Sequence, residues 1–349
     1  MIEKYYDGAI EQVAAGLGTV EKNHLLVRYS GQFSVENLND TKQLEKNEDI
    51  FVQVHEFETG EITCAYEPYL TMICDGFRRY MTGTFEEFME TCDVYYLHRP
   101  VLLGYFNQDN TGREEIILLD EVAYEQERML AALERMLCAI ADRHPVLFVL
   151  NRFQLASKST MQLTARFLKC ENCNIGLVLG VSDIQAMPEF LVPDWEMLYE
   201  TLDDGSKIYH IGNSGRKKEE TIDDEKYVDY GSEKVYRKLQ NMVEFLDFDQ
   251  AAYYLETIER KIKFDNLLVD DAARFRMWLL FVKVSILRQD IPKALEICED
   301  LEKIHLAGKE EECAYEQDYL IATAYMYQGK LKEALEMAGE TYRIAGKMS

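Results

Sequence analysis

The sequence lacks the features of a membrane-inserted or exported protein. No apolar run approaches the roughly 18 residues that a membrane-spanning helix needs. The first 18 residues mix charges among their apolar positions and contain no apolar signal core. Hydrophobic residues make up 47% of the 349 residues, which is enough for a globular fold. We therefore expect a cytoplasmic protein with no membrane association, and the length favours two domains.

Positive charge is also scarce, and the deficit is concentrated in the first two-thirds of the chain. Residues 1–230 hold 21 Lys and Arg against 41 Asp and Glu, a net charge of −20. Residues 231–349 hold 17 against 22, a net charge of −5. The one short basic run, at 216–218, is followed at once by two glutamates. An acidic chain without a basic patch repels polyphosphate, so we expect no direct contact with nucleic acid.

Residue patterns for catalysis or metal binding are missing or weak. The six histidines are isolated in the sequence, and we find no catalytic triad. His55 and Glu56 form a possible acid–base pair, although a polar cap at a strand end explains them more simply. Among eight cysteines only Cys170 and Cys173 have ligand-like spacing. A zinc site would need a second pair, and none is nearby in sequence, although folding could bring a distant one close. We favour two cysteines in a helix-to-strand loop, and predict no catalytic residue, metal or cofactor.

The first two-thirds of the chain alternates strand-like and helical patterns, which is typical of a mostly parallel sheet with packed helices. Uninterrupted apolar runs such as "VLFVL" and "IGLVLGV" predict central strands that are buried on both faces. Apolar spacing predicts a helix between Glu121 and Asp142, and Pro145 ends it. The predicted strands are Leu25–Tyr29, Ile50–Val54, Val146–Leu150, Ile175–Val181 and Lys207–Ile211. We interpret the stretch from Thr84 to Asp120 as an irregular or inserted region.

Residues 213–233 are polar and nearly free of core-forming side chains, which predicts an exposed linker. A weak repeat follows it, in "FLDFDQAAYYL" (245–255), "LRQDIPKALEI" (287–297) and "YQGKLKEALEM" (327–337). In each copy a turn precedes an apolar residue, and an alanine lies three positions later. The apolar residues are Phe248, Ile291 and Leu331, and the alanines are Ala251, Ala294 and Ala334. This period of about 40 residues predicts three helical hairpins of the tetratricopeptide kind over 234–349.

Three segments of the first domain share the texture of one protein class. They are "CAYEPYLTMICDGFRRY" (64–80), "HPVLFVLNRFQLASKSTMQLTARFL" (144–168) and "IGLVLGVSDIQ" (175–185). Together with the repeats, this layout resembles the STAND class of AAA+-like signalling ATPases, particularly the maltose-regulator-like type. The resemblance implies a P-loop NTPase-like α/β domain over residues 1–212, followed by the linker and an all-α repeat domain.

The residues that carry ATP chemistry in that class are missing at the matching positions. A phosphate loop needs several glycines, a lysine for the phosphates and a hydroxyl for Mg²⁺. This chain keeps Gly31, whereas Ser34 and Glu36 stand at the later glycine positions, and Asn37 and Leu38 replace the Lys-Ser/Thr pair.

At two further matching sites the residues needed for ATP chemistry are also missing. Asn151 and Arg152 occupy the place of the acidic pair that would hold Mg²⁺ and position water. The sensor position falls near Ser182, without a cation. The 21-residue linker is also too short for the lid or winged-helix module that the family places before its repeats. These losses favour a pseudo-ATPase with only vestigial nucleotide-loop positions.

We therefore predict a non-catalytic regulatory or scaffolding protein that binds a protein partner through its helical repeats and can self-associate. Two alternatives remain open at this stage. One is an atypical nucleotide-dependent signalling ATPase. The other is the remnant of a transcription regulator without a DNA-binding domain. The partner should be neutral or basic where it meets residues 1–230, because that region is strongly acidic.

Overall fold

The computed structural model describes two compact units. One comprises Met1–Glu115 with Glu125–Val228, and the other Ile116–Tyr124 with Asp229–Ser349. Within these units the structure describes residues 2–17, 24–29, 49–58, 60–108, 121–170, 173–182, 187–205, 207–211, 229–301, 303–304 and 310–348. Among them, no helix has both the length and the apolar character needed to cross a membrane. The predicted linker falls mostly outside the described residues, so the predicted domain bounds stay a prediction.

The first unit contains a five-stranded parallel sheet, as the sequence predicts. All five predicted strands are present: β1 Leu25–Tyr29, β2 Phe51–Glu56, β3 Val146–Asn151, β4 Ile175–Val181 and β5 Lys207–Ile211. Every described strand pairing is parallel. The order across the sheet is β2-β3-β4-β1-β5. Both β3 and β4 are buried along their whole length, which confirms the prediction that the uninterrupted apolar runs form central strands.

Helices cover both faces of the sheet. On one face the first helix, α1 (Ile2–Gly16), places Ile10 and Val13 against apolar residues of β1, β3 and β4. On the other face the Tyr69 ring packs edge-on against Phe148 of β3, with ring centroids 4.7 Å apart. The remaining helices of this unit are α2 Tyr69–Tyr80, α3 Phe85–Thr91, α4 Arg99–Asn107, α5 Val122–Ala141 (from Glu125 onward), α6 Lys158–Lys169 and α7 Val192–Gly205. Short 3₁₀ turns form at Phe153–Leu155 and Glu189–Leu191.

The region from Thr84 to Asp120, interpreted from the sequence as irregular, contains two of these helices. Helix α3 begins with a capping box: the Thr84 hydroxyl accepts from the Glu87 amide at 3.2 Å, and the Glu87 carboxylate accepts from the Thr84 amide at 2.9 Å. This pattern satisfies two amides that a helix start otherwise leaves open. The helices are short, so their apolar periodicity is weak, and the cap was the stronger signal in the sequence. Residues 109–120 lie outside the described residues.

The second unit is helical throughout its described residues. Its six helices are α8 Glu233–Glu244, α9 Phe248–Phe264, α10 Asp271–Leu287, α11 Ile291–Leu301, α12 Glu310–Tyr327 and α13 Leu331–Met348. They form three consecutive hairpins, α8/α9, α10/α11 and α12/α13. The coarse fold class, a parallel α/β unit followed by a helical unit, is thus confirmed.

The three hairpins share one turn geometry. The second helix of each begins at Phe248, Ile291 or Leu331, the apolar residues that the repeat singled out. Two positions earlier, Leu246, Gln289 and Gly329 all have positive φ, between 63° and 81°. The next amide in each turn donates to a carbonyl five residues back at 2.8, 2.8 and 2.9 Å. These Schellman-type bonds end the first helix and set the direction of the second.

Candidate functional site

The carboxyl ends of the parallel strands form the edge at which a ligand site is expected. From β1 the chain passes to β2 at one side of the sheet, whereas from β4 it crosses β1 to reach β5 on the other side. These opposite directions make a topological switch point beside β1. In open parallel sheets, ligands bind in the crevice outside the strand ends at such a point. The residues that end β1, β3 and β4 are therefore the first place to look for chemistry.

The predicted nucleotide-loop positions cannot be placed at this edge. Gly31, Ser34, Glu36, Asn37 and Leu38 follow β1 but lie outside the described residues. Their assignment as a vestigial phosphate loop therefore stays a prediction from the sequence.

The predicted acidic-pair positions lie at the end of β3. Asn151 is fully buried, and its carbonyl accepts a hydrogen bond from the Phe57 amide at 3.1 Å. Arg152 has left-handed backbone geometry, with φ of 52°. Its Nε lies 3.4 Å from Glu56 Oε1 at the end of neighbouring β2, and both side chains are partly buried. A guanidinium paired with a carboxylate thus stands at the end of β3, where the sequence predicts the vestigial acidic-pair positions.

This arrangement disfavours a magnesium ion. Mg²⁺ is bound in proteins mainly through carboxylate oxygens and water. Among the last residues of β2, β3 and β4 and the residues that directly follow them, only Glu56 carries a carboxylate, and Arg152 is its ion-pair partner; Glu58, two residues beyond β2, is exposed. A divalent cation about 4 Å from the guanidinium would be repelled by roughly 8 kcal/mol at an effective dielectric constant of 20. Nucleotide chemistry that depends on Mg²⁺ has little support from these side chains.

A neutral hydrogen-bonded link joins the ends of β3 and β4. Gln154 Nε2 donates to the Ser182 hydroxyl at 2.8 Å, and the Ser182 amide donates to Gln154 Oε1 at 3.4 Å. Ser182 is the residue that the sequence places near the sensor position. In these contacts it holds two strand ends together, and it brings no positive charge to the edge.

The possible acid–base pair His55 and Glu56 does not form. Successive residues of a strand point to opposite faces of the sheet, so the two side chains are separated by the backbone. The His55 ring packs edge-on against Phe57, with centroids 4.5 Å apart, whereas Glu56 faces Arg152. The polar-cap interpretation fits these positions better.

The sequence analysis missed a buried hydroxyl network at the start of α6. Ser157 caps the helix by accepting from the Thr160 amide at 3.3 Å, and Thr160 Oγ1 donates to the Glu67 carbonyl at 2.9 Å. Ser159 Oγ accepts from the Tyr66 amide at 3.0 Å. These bonds tie α6 to the segment before α2, so we assign the network to positioning the two helices. The cluster of hydroxyl residues in "LASKST" was the available signal.

A buried histidine–carboxylate pair was also missed. His98 Nε2 lies 3.2 Å from Glu125 Oε2, and both side chains are almost completely buried. The other Glu125 oxygen is 2.9 Å from Arg128, whose guanidinium lies 3.9 Å from the centroid of the Tyr95 ring. Burial separates this pair from any substrate, so we assign it to joining the start of α4 to α5. No local pattern in the sequence links the two residues.

The repeat unit offers a second candidate surface, on α13. Leu331, Leu335 and Tyr342 are 67%, 74% and 83% exposed. At about 100° per residue they fall within an arc of about 40°, so they form one apolar stripe. Ala334 lies on another side of the helix and is 9% exposed. We refer to Leu331, Leu335 and Tyr342 as the α13 stripe; exposed apolar groups of this kind mark interaction surfaces.

Known proteins give no further guide to the function of either surface. Comparison with models of known protein families finds no match, and comparison with curated proteins finds no significant relative.

Proposed function

We propose that this protein is a non-catalytic regulator or scaffold. Its α/β unit is a degenerate P-loop ATPase core of the STAND type, and its helical repeats, of the tetratricopeptide kind, bind a protein partner. The observation that carries the proposal is the ion pair between Arg152 and Glu56. It puts a cation where the resembled ATPases need an acidic pair, and it engages the one carboxylate at the described ends of β2, β3 and β4.

The sheet topology supports the ATPase ancestry independently of the missing motifs. The sheet is parallel, and β1 lies between β4 and β5 with β3 and β2 beyond β4, which is compatible with the P-loop NTPase-like core that the sequence resembles. The switch point beside β1 is where such a core would hold a nucleotide. The segment with the vestigial loop positions follows β1 directly in sequence.

The repeat unit supports partner binding. Stacked hairpins provide an extended surface without catalytic machinery. The α13 stripe adds exposed apolar area to that surface, and the net charge of −25 favours partners that are neutral or basic. We assign the stripe to an amphipathic helix of the partner, because a narrow apolar band on one helix matches the band on another.

Calorimetric titration of the full chain with MgATP and MgGTP tests the loss of nucleotide chemistry. We expect dissociation constants no tighter than millimolar, about −4 kcal/mol, and no phosphate release. A micromolar constant, about −8 kcal/mol, would contradict the proposal. If Arg152→Ala weakened that micromolar binding, Arg152 would be a residue that contacts the nucleotide, and an atypical nucleotide-dependent ATPase would be the better conclusion.

Affinity capture with the immobilised full chain tests partner binding. We compare the native chain with Leu335→Ser, which interrupts the α13 stripe, and with Lys332→Ser, an exposed control on the same helix. A protein recovered by the native chain is then purified and titrated directly at low and high salt. We expect Leu335→Ser to weaken binding at least about tenfold, Lys332→Ser to leave it within about twofold, and salt to slow association.

Two outcomes would change this conclusion. If Leu335→Ser alters only the sedimentation behaviour of the chain itself, the stripe binds a second copy rather than another protein. If no protein is retained and the chain turns over ATP, the proposed scaffold is wrong.

A further inference from the structure

Three cysteines that are distant in sequence meet at one point in the first unit. Cys138 lies near the end of α5, Cys170 caps the end of α6, and Cys173 lies two residues before β4. Their Sγ atoms all lie within 4.8 Å of one another. Among the described residues no other group of three potential metal ligands comes this close. We call these residues the three-cysteine cluster.

The spacing of the sulfur atoms fits a tetrahedral metal centre. At a zinc–sulfur bond length of about 2.3 Å, two thiolates of a tetrahedral site lie about 3.8 Å apart. The Sγ atoms of Cys138 and Cys170 are 4.0 Å apart. A disulfide bond between them would need about half that distance. The separation of Cys138 and Cys170 is therefore close to that of two ligands of one ion, whereas a disulfide bond would require these two sulfur atoms to approach by about 2 Å.

Hydrogen bonds near the end of α6 position two of the ligands. Cys173 is buried, and its thiol donates to the Cys170 carbonyl at 3.7 Å. The Cys170 amide donates to the Arg166 and Phe167 carbonyls at the end of α6. An ion bound here would join α5, α6 and the start of β4.

A groove provides a route to the cluster for an ion. Cys170 lines an open groove of about 470 Å³ together with residues of α5, α6 and α7. Arg166 and Lys169 lie along the same groove. Glu127 and Glu134 line the groove as well, and both pair with Arg166, so the charged groove residues are balanced and leave a site of one divalent cation and three thiolates with its own net charge of −1. Cys170 is the cluster residue that lines this groove, so a fourth ligand such as a water molecule would reach the ion from the side of Cys170.

We propose that Cys138, Cys170 and Cys173 bind one thiophilic divalent cation, zinc in the first instance, with the fourth coordination position open to the groove. On binding, each thiol that ligates the ion releases its proton to solvent, so up to three protons leave for each ion bound. No electron transfer is involved. The sequence showed only the pair Cys170 and Cys173; the third ligand comes from α5, 32 residues earlier than Cys170.

Metal titration of the full chain tests this site. The chain is purified with a reductant, freed of metal, and titrated with Zn²⁺ in competition with a chromophoric chelator. We expect one ion per chain with a submicromolar dissociation constant. Titration with Co²⁺ should give the thiolate-to-cobalt charge-transfer band and the strong visible bands of a tetrahedral centre.

A matched pair of variants identifies the ligands. Cys138→Ser should weaken zinc binding at least about 100-fold, since loss of even a supporting group around a metal site costs ten- to 100-fold. Cys64→Ser is the control, because Cys64 is partly buried like Cys138 but lies outside the cluster. It should change the affinity by less than about twofold.

A second measurement does not depend on how the variants fold. The native chain is alkylated with and without Zn²⁺, and the modified peptides are mapped. Zinc should protect Cys138, Cys170 and Cys173 and leave the modification of Cys64 unchanged. The proposal is wrong if zinc binds no more tightly than micromolar, if the three thiols are not protected together, or if peptide mapping of chain purified without reductant finds a disulfide within the cluster.

Discussion

Replacing Gly176 by alanine tests how closely α1 packs on the sheet. Gly176 is the second residue of β4, on the face that α1 covers. An added Cβ would lie 2.6 Å from Val13 Cγ1, and 3.2 Å from both Leu17 Cδ2 and Leu147 Cδ1. Val13 is 1% exposed, so its side chain cannot turn into solvent to make room. We expect Gly176→Ala to destabilise the first unit.

The magnitude follows from two opposing effects. Alanine restricts the unfolded chain more than glycine does, which favours the variant by roughly 0.5–1 kcal/mol. Forcing an extra methyl group into a closely packed core costs about 1–3 kcal/mol. The packing cost is the larger, because one contact would be well below the distance that carbon atoms tolerate and its partner is buried. The free energy of unfolding should fall by about 1–2 kcal/mol.

Urea unfolding followed by tryptophan fluorescence provides the assay. The chain has two tryptophans, Trp195 in the first unit and Trp278 in the second, and both are buried. A Trp278→Phe host therefore makes the fluorescence report on the first unit alone. Gly8→Ala is the control, because Gly8 lies within α1 and an added Cβ there meets nothing within 4 Å. It should stabilise the unit by about 0.5–1 kcal/mol.

A double-mutant cycle with Val13→Ala separates the close contact from other causes. Alone, Val13→Ala leaves a cavity and should cost about 1–3 kcal/mol. In the Gly176→Ala background it also makes room for the new methyl group, so it should cost at least about 1 kcal/mol less. If Gly176→Ala is as stable as the host, or if the two effects add within about 0.5 kcal/mol, the described packing of α1 is wrong.

Three further predictions concern the two units. Glu259→Gln removes a carboxylate that lies 2.7 Å from Lys263 of α9 and 3.0 Å from Lys293 of α11. The free energy of unfolding in urea should fall by about 1 kcal/mol, and by less at high salt. Gln289→Gly removes the steric strain of a side chain on a left-handed residue with φ of 63°. The midpoint of thermal unfolding should therefore rise by a few degrees, equivalent to about 1 kcal/mol. An unchanged midpoint would contradict that geometry. Burial raises the pKa of Cys74 from 9.0 to about 12. The contribution of this thiol to stability is therefore complete below pH 9 and is lost as the pH rises toward 12. In Cys74→Ala, the free energy of unfolding should decline less steeply with pH in this alkaline range.

The sequence determined most of the local structure. Apolar runs located all five strands, and the uninterrupted ones became the fully buried strands β3 and β4. The repeat pattern located the residues at which α9, α11 and α13 begin. These features could be read because each depends on a periodicity or a turn within about ten residues. The two helices after Thr84 were missed, although the capping box of α3 was visible, since short helices give little periodic signal.

Only the tertiary structure decided which distant residues meet. Strand order brought the end of β2 beside the end of β3, and that adjacency pairs Arg152 with Glu56. The packing of α5 beside the end of α6 brought Cys138 to the Cys170–Cys173 pair. Neither contact leaves a pattern in the sequence, because the chain between the partners can vary in length and composition without changing the contact. The sequence specifies which side chains are present, whereas the packing of the whole core determines which of them lie close together.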